Sequence, residues 1–509
     1  MKLEKWERAL PDRGTYWLTR FIILRLLGIV YAIAFLVAAR QVLPLIGSDG
    51  LLPLGNFVEH ASRVLGGSSG GFLRLPSLFW LNHSDNALVA IAWLGFALSC
   101  VVACGYANAL LLSLLWILYM SFVHAGQDWY GYGWEVQLLE TGFLAIFLCP
   151  LLDGRPFPRR PPPLVVIWLF RALIFRIMFG AGMIKIRGDQ SWRDLTALYY
   201  YFETQPIPNA LSRWFHFLPP IVLRAGTLFN HFAELLAPWF VFWPRSARFV
   251  AGVIIIVFQI AIALGGNLSF LNWLTIIPAL ACFDDHAWGR LLPGRLTSRA
   301  QAAQTAAAVS RPMLGISWAI AALVALLTIQ PVLNIFSPHQ IMNTSFDPLD
   351  LVNTYGAFGT VGKERYNVVF EGTASDPDDA AAWIPYPYKG LPVALNERPP
   401  QVAPYQLRLD WQMWFAAMGS PNQYPWTLNL IWKLLHNDPG ATGLFRSNPF
   451  PERPPRYIRA VLYRYSFVRP NSQGLWWKRE NLGLWLPPLA ADNPDFKQFL
   501  RRAGWLHDY

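Results

Sequence analysis

The chain has 509 residues, of which 54% are hydrophobic and 14% are charged, and its mean hydropathy is +0.30. These values exclude an ordinary soluble protein and indicate an integral membrane protein. The net charge of +11 does not require a nucleic-acid partner. Basic residues concentrate in the apolar part of the chain, where anionic lipids and the positive-inside rule account for them.

Apolar stretches follow one another through the first two thirds of the chain. About 20 apolar residues span the hydrocarbon core of a bilayer. The stretches that approach this length are 16–39, 86–106, 110–123, 134–152, 164–184, 221–243, 249–264, 268–283 and 313–336. The two around Leu110 and Leu268 are short enough to be re-entrant. The sequence therefore predicts a polytopic α-helical membrane bundle with eight or nine transmembrane helices.

Basic residues in the connecting loops predict the orientation of this bundle, because lysine and arginine are retained in the cytoplasm. They cluster in the N-terminal tail and in the loops after the fourth, sixth and eighth spans. The loop after the fifth span, with Arg187, Arg193 and Arg213, is an exception. Nine spans with a cytoplasmic N-terminus fit best and place everything after Phe336 outside the cytoplasm.

The residue pattern of the sequence changes after the last span. The sequence therefore predicts two domains: a transmembrane helical domain over residues 1–336 and a β-rich extracytoplasmic domain over residues 337–509. Short alternating runs divided by Pro, Gly and Asn predict strands. They lie at 366–370, 405–411 and 459–467, and helical patterns lie at 412–417 and 427–435. All four cysteines precede residue 337, so the outer domain must fold by core packing without disulfides.

Polar side chains recur at helical spacing inside several spans. They are Gln137, Glu140 and Thr141; Thr227, Asn230, His231 and Glu234; Gln259; Asn272 and Thr275; and Lys185, which ends the fifth span. Because an unpaired charge in hydrocarbon costs several kcal/mol, the charged ones should pair with each other or face a wet cavity. One interpretation is hydrogen bonding between helices. The other is a membrane-depth site in which Lys185 acts as a base.

Soluble-enzyme motifs do not occur: there is no Walker loop, His-Glu-x-x-His, Gly-x-Ser-x-Gly or Rossmann fingerprint. The pair His231 and Glu234 has a spacing suited to a metal, but it supplies too few ligands. We therefore predict no metal and no cofactor.

The run after Lys185 predicts a short surface helix over residues 191–204. Ser191 and Asp194 resemble a capping box, and Trp192, Tyr199 and Phe202 share an apolar face, whereas Glu203 points away from it. Such a helix lies on the outer membrane surface, either as a lid or as a binding element.

Several of these segments resemble the lipase maturation factor family. In the apolar part they are residues 188–196, 202–209, 230–235, 266–275 and 281–285, and in the outer part 353–359, 363–365 and 408–418. The resemblance extends from Thr15 to Leu486. The motif residues that it marks for binding are Asp189, Trp192, Asp194, Glu203, Thr204, Gln205, Pro206, Asn209, Asn230, Asn267, Asn272 and Trp273, with Tyr355, Lys363, Arg365, Arg408, Asp410 and Trp411 in the outer domain.

The resemblance implies a function in protein folding. Animal members of this family are endoplasmic-reticulum membrane proteins that help secreted lipases to fold and assemble, with the C-terminal domain in the lumen. This chain has no cysteine in its outer domain and no retrieval signal at residues 505–509, so it looks like a compact bacterial relative in the plasma membrane. If the chain is eukaryotic, the expected location is the endoplasmic-reticulum membrane. Its expected partners are membrane lipid and an exported lipase or hydrolase client, and its oligomeric state stays open.

A second, shorter resemblance implies an enzyme. The segment Phe179 to Lys185 is similar to the segment that carries the active-site lysine of vitamin K-dependent carboxylases. It implies that Lys185 is a base acting on a lipid-like or quinone-like substrate, with Glu140, His231 or Glu234 as partners. A transporter is the weakest hypothesis, because no inverted repeat is evident.

Overall fold

Helices make up most of the described chain before residue 337. The computed structural model describes residues 14–377, 381–470 and 473–506. The basic N-terminal tail used to predict the orientation lies outside these described residues. The helices of the helical region (residues 14–336) are α1 (Trp17–Ile46), α2 (Leu54–Val64), α3 (Ser68–Arg74), α4 (Asp85–Cys104), α5 (Ala109–Ala125), α6 (Gly133–Ile146), α7 (Leu164–Gly188), α8 (Gln190–Arg193), α9 (Leu198–Thr204), α10 (Ala210–His216), α11 (Pro220–His231), α12 (Arg245–Gly265), α13 (Leu271–Ala279), α14 (Asp285–Trp288), α15 (Gly294–Thr305), α16 (Arg311–Leu327) and α17 (Ile329–Phe336).

Five helical segments within the described residues are long and apolar enough to cross a membrane: α1, α4, α7, α12 and the run Arg311–Phe336. Helix α5 and the run Leu271–Cys282 are apolar but shorter. These segments coincide with seven of the predicted spans, and the chain is a multi-pass membrane protein. The finer prediction of eight or nine crossings is not confirmed by them.

The other two predicted spans are interrupted. The stretch 134–152 is helical only to Ile146, where α6 ends four residues before Pro150. The stretch 221–243 leaves α-helical geometry after α11, passing through a π-helical turn (Phe232–Leu236) and a 3-10 helix (Ala237–Phe242). Pro238 explains the second break, because proline has no backbone N–H to continue an α-helix.

The first and fourth helices pack closely because glycine lies between them. A Cβ atom on Gly28 would stand 2.6 Å from the backbone nitrogen of Ala103, and one on Gly95 would stand 2.3 Å from the ring of Phe35. Small residues that let helix backbones approach are a common source of helix association in membranes.

The C-terminal region (residues 337–506) contains an antiparallel sheet in the order β2-β1-β3-β4. Its strands are β1 (Arg365–Thr373), β2 (Ile384–Pro385), β3 (Tyr457–Phe467) and β4 (Trp477–Ala490), and its helices are α18 (Arg408–Ala416), α19 (Trp426–Leu435), α20 (Pro439–Thr442) and α21 (Pro494–Arg502). Val368 on β1 pairs with Leu462 on β3. Alternate residues of β3 are buried, as its period-2 pattern predicts.

Predicted strands at 366–370 and 459–467 lie inside β1 and β3. The strand predicted at 405–411 is wrong, because Arg408 begins α18 and packs the segment against the helical region. Within the described part of this region, four helices accompany the sheet, so the region is mixed rather than dominated by strands.

Candidate functional site

Lys185 forms a buried ion pair with Glu234 near the end of α7. Its Nζ lies 2.5 Å from Glu234 Oε1 and donates to Asn230 Oδ1 at 3.2 Å. Asn230 Nδ2 donates to the second oxygen of Glu234 at 2.9 Å. Lys185 and Glu234 are only 4% and 3% exposed. The lysine charge is therefore matched inside the chain, as a buried charge requires.

Trp192 closes over this pair. Its ring centroid lies 5.0 Å from Lys185 Nζ, and its carbonyl oxygen lies 2.9 Å from Nε2 of His231. The indole Nε1 of Trp192 donates to the carbonyl oxygen of Phe358 at 2.9 Å. The structure thus brings Lys185, Glu234 and His231 together, but packs them against Trp192.

Glu140 belongs to a different cluster. It forms an ion pair with Arg176 and accepts hydrogen bonds from Tyr355 Oη at 2.6 Å and from the backbone N–H of Asn353 at 3.1 Å. The expectation that Glu140 would pair with Lys185 or face a wet cavity is wrong, because Arg176 neutralises it. Two residues of the C-terminal region thus reach a glutamate of α6.

A third cluster joins the two regions through Arg408. Its guanidinium lies 3.0 Å from Oε1 of Glu135 on α6 and 3.5 Å from the ring centroid of Tyr130. Neither Arg408 nor Glu135 is exposed to solvent. Trp411, on the same helix, packs edge-on against Trp134 with ring centroids 4.8 Å apart. Sequence reasoning marked Arg408 and Trp411 but missed Glu135, which lies five residues before Glu140 and off its helical face.

The remaining polar residues of the spans join neighbouring helices. Gln137 Nε2 donates to Thr275 Oγ1 at 3.0 Å, and Asn272 Nδ2 donates to Gln259 Oε1 at 2.8 Å. Trp273 is 45% exposed on the outside of α13. These contacts match the interpretation of hydrogen bonds between helices, and the polar residues do not converge on one interior.

The helix predicted over residues 191–204 is in fact two short helices, α8 and α9. Leu195 has a φ of +58°, and this left-handed conformation interrupts the helix. Asp189 caps α8 in place of Ser191: its carboxylate accepts the N–H of Ser191 at 2.8 Å and the N–H of Val361 at 3.0 Å. Burial would raise the pKa of Asp189, but these backbone hydrogen bonds lower it below its usual value.

Arg365 holds the end of α9. Its guanidinium donates to the carbonyl oxygens of Glu203 at 3.1 Å, Gln205 at 2.5 Å and Pro206 at 3.0 Å. Glu203 is buried rather than facing away, because its carboxylate accepts the N–H of Phe467 at 2.6 Å. Burial raises the pKa of Glu203. The motif after Lys185 is thus enclosed by β1 and β3.

Further contacts extend this enclosure. Asn267 donates to the carbonyl oxygen of Pro400 at 2.8 Å and accepts the N–H of Val402 at 2.7 Å, and Trp414 donates to the carbonyl oxygen of Thr204 at 2.9 Å. Asn209 begins α10 with a capping box.

Besides Trp273, three marked residues lie apart from these clusters. Asp194 and Lys363 are exposed. Asp410 is buried beside a loop, where it accepts the N–H groups of Gly390 at 2.6 Å and Leu391 at 3.1 Å.

Most of the marked residues therefore lie along one junction between the membrane helices and the C-terminal region. Its buried ion pairs and hydrogen bonds fix side chains in place, which suits a rigid connection between two parts of a chain. The fold and this junction define a multi-pass membrane protein with a firmly attached C-terminal region.

Comparisons with known proteins give the family. The lipase maturation factor transmembrane domain matches residues 18–290, and the lipase maturation factor C-terminal domain matches residues 351–487. The chain belongs to the lipase maturation factor family. No solved structure matches it.

Similarity to vertebrate relatives covers nearly the whole chain. Identity to lipase maturation factor 1 of Bos taurus is 46%, over 97% of this chain and 92% of the relative. Identity to lipase maturation factor 1 of Homo sapiens is 44%, over 97% and 91%. Lipase maturation factor 2 of Homo sapiens is 26% identical, over 96% of this chain and 85% of the relative.

Proposed function

We propose that this chain assists the folding or assembly of an exported lipase or hydrolase, with its helices as a membrane anchor. The observation that carries the proposal is the 44–46% identity to lipase maturation factor 1 over 97% of the chain. A match of this length covers both regions and the junction between them, so the proposal concerns the chain as a whole.

Geometry at Lys185 favours this function over an enzyme. Lys185 is held by Glu234 and Asn230 and covered by Trp192, whereas a base must reach the proton of a substrate. The relatives described above are lipase maturation factors and give no support to the carboxylase alternative. Among the marked residues, we propose structural roles at the junction for Lys185, Glu140, Asn267, Arg365 and Arg408.

We further propose the orientation and location that the sequence suggests. The N-terminus lies in the cytoplasm, eight or nine segments cross the membrane, and residues 337–509 form a domain on the far side, where exported clients fold. The membrane is the bacterial plasma membrane, a proposal that rests on the cysteine-free outer region; the relatives described above are vertebrate proteins. Attachment of a membrane-impermeant thiol reagent at a new cysteine at Gln498, which is exposed, tests the placement of this region.

The edge of the sheet is the surface that we propose for client contact. Strand β4 pairs only with β3 among the described strands, and residues 478–484 are exposed. Leu482 and Leu484 are 42% and 56% exposed, and nearby Met418 is 57% exposed. An exposed edge strand offers backbone hydrogen bonds and apolar contacts to an extended chain. The segment Trp192–Asn209 is a weaker candidate, because most of it is buried.

Co-expression tests the function. An exported lipase from the same genome is produced with and without this chain, and both lipase activity and lipase polypeptide are measured outside the cell. We expect activity per polypeptide to fall without the chain. Equal specific activity in both cultures contradicts the proposal.

Photo-crosslinking tests the contact surface. A photoreactive residue at Leu484 should cross-link to the co-expressed lipase during its maturation, whereas the same group at Gln498 on α21 serves as a control. Equal cross-linking from both positions would argue against the edge of the sheet.

A further inference from the structure

A cavity of about 650 Å³ lies where α1 meets the C-terminal region. This is within the range of ~300–1,000 Å³ typical of sites for small ligands. Its wall on α1 consists of Leu36, Arg40, Gln41 and Pro44, and its opposite wall includes Lys389, Tyr405, Asp410 and Leu444. The cavity therefore has one wall on a membrane helix and one outside it.

The length of α1 allows Arg40 to lie at the depth of lipid headgroups. Helix α1 has 30 residues, about 45 Å at ~1.5 Å per residue, whereas the hydrocarbon core is ~30 Å thick. Arg40 lies six residues before the end of this helix and is exposed. Within the part of the chain that the structure describes, it forms no hydrogen bond or ion pair.

An apolar stripe leads along α1 to Arg40. Ile29, Ile33 and Leu36 precede Arg40 at spacings of three and four residues, so they share its face of the helix. Ile29 is 46% exposed, and Ile33 and Leu36 are half-buried. Arg40 is the only charged residue between Leu26 and Ile46. A stripe of this kind offers an acyl chain a path that ends at a cation.

Lys389 supplies a second cation from the C-terminal wall. Its Nζ donates to the carbonyl oxygen of Gly443 at 2.5 Å and lines the same cavity as Arg40. Asp410 also lines the cavity, but one of its carboxylate oxygens is taken by the N–H groups of Gly390 and Leu391. Two cations against one carboxylate leave the cavity with a net positive charge, which suits a phosphate.

We propose that this cavity binds one membrane phospholipid, with its phosphate between Arg40 and Lys389 and an acyl chain along the stripe on α1. The bound lipid bridges the membrane helix and the C-terminal region and stabilises the folded chain by mass action. This site is independent of the client and of the maturation function.

Lipid binding to the full chain in detergent tests the proposal. The probes are dioleoylphosphatidylglycerol, dioleoylglycerol, which lacks the phosphate, and inorganic phosphate, which lacks the chains. Native mass spectrometry and the unfolding temperature report binding. We expect a one-to-one adduct and a raised unfolding temperature with phosphatidylglycerol only.

The double variant R40Q/K389Q should bind phosphatidylglycerol about tenfold or more weakly, because charge-assisted hydrogen bonds are lost. R453Q, which removes an exposed cation elsewhere, is the matched control.

Three results would overturn the proposal. They are equal binding of dioleoylglycerol, an effect of inorganic phosphate equal to that of the lipid, and unchanged lipid binding by R40Q/K389Q. If the double variant does not fold, R40Q alone decides, because Arg40 is exposed and its loss removes no hydrogen bond or ion pair among the described residues. Unchanged binding by R40Q would then contradict the site.

Discussion

Lys185 and Glu234 depend on each other because both charges are buried. Removing one partner of a buried pair typically costs about 3–5 kcal/mol, whereas replacing both can be nearly neutral. We therefore expect Lys185→Met to lower the free energy of unfolding by about this amount. Combining it with Glu234→Gln should recover most of the loss, since Gln can still accept from Asn230. The free energy of unfolding of the purified variants in detergent tests both expectations.

Lys185→Arg is the control that separates the ion pair from catalysis. Arginine keeps the charge but does not give up its proton. If the pair is structural, the variant should retain stability and lipase maturation to a large degree. Complete loss of maturation in a folded Lys185→Arg protein would contradict this role.

Asp410 gives the C-terminal region a pH dependence. Burial raises its pKa from 3.8 to about 6, so the folded chain binds a proton more tightly than the unfolded chain. The stability that this proton contributes is present at low pH and is lost as the pH rises through about 6. Asp410→Asn removes this dependence while keeping an oxygen for the N–H groups of Gly390 and Leu391.

We expect the stability of Asp410→Asn, relative to the parent chain, to increase by about 2 kcal/mol between about pH 4.5 and about pH 7.5. The free energy of unfolding at both pH values, measured in the same detergent, checks this. A difference that does not change with pH would show that the carboxyl group titrates normally.

At the residue scale, the sequence more often predicted one residue of a buried ion pair than both of its residues. Asn230 and Glu234 were visible because they share a helix face one turn apart, and their link to Lys185 follows from the cost of a buried charge. Arg408 and Glu135 are 273 positions apart, and no periodicity in the sequence joins such residues. That contact cannot be inferred from a single sequence.

At the scale of elements, Gly180 sets the distance between α7 and the segment that reaches Glu140. A Cβ atom on Gly180 would lie 2.5 Å from the backbone oxygen of Tyr355. Because that oxygen belongs to the backbone, it cannot move away as a side chain does by changing its rotamer. Gly180→Ala should therefore destabilise the chain by about 1–3 kcal/mol through overpacking.

Gly315→Ala is the matched control for this prediction, because nothing lies within 4 Å of the position of its Cβ. Alanine favours a helix interior over glycine, so this variant on α16 should be neutral or slightly more stable. Equal unfolding temperatures for Gly180→Ala and Gly315→Ala would show that the backbone at Tyr355 shifts to make room for the added Cβ atom.

Element boundaries were predictable where one local rule dominates. Hydropathy located α1, α4, α7 and α12 because a helix of that length must hide its backbone from lipid. Strand alternation located β3 for a similar local reason. The segment 405–411 also alternates, yet Arg408 draws it into a helix against α6, so a tertiary contact overrides the pattern.

For the whole molecule, the sequence indicated two regions but not how firmly they are joined. Family motifs on both sides of residue 337 suggested a common role. The pairing of these motifs, such as Arg365 with the end of α9, depends on the folding of both regions. Composition also suggested that the outer region could bury its own core, whereas the structure uses the membrane helices to complete it.

Residues 337–509 should consequently not fold as a stable unit on their own. Arg408 would lose Glu135, Tyr355 would lose Glu140, and Arg365 would lose its carbonyl partners, which leaves buried polar groups without partners. We expect the exported fragment to be degraded rapidly by protease and to lack a cooperative unfolding transition. In the full chain, Arg408→Ala should increase protease release of the C-terminal region, whereas Arg459→Ala, which breaks a pair with Glu371 inside that region, should not. A fragment that unfolds cooperatively would instead establish an independent domain.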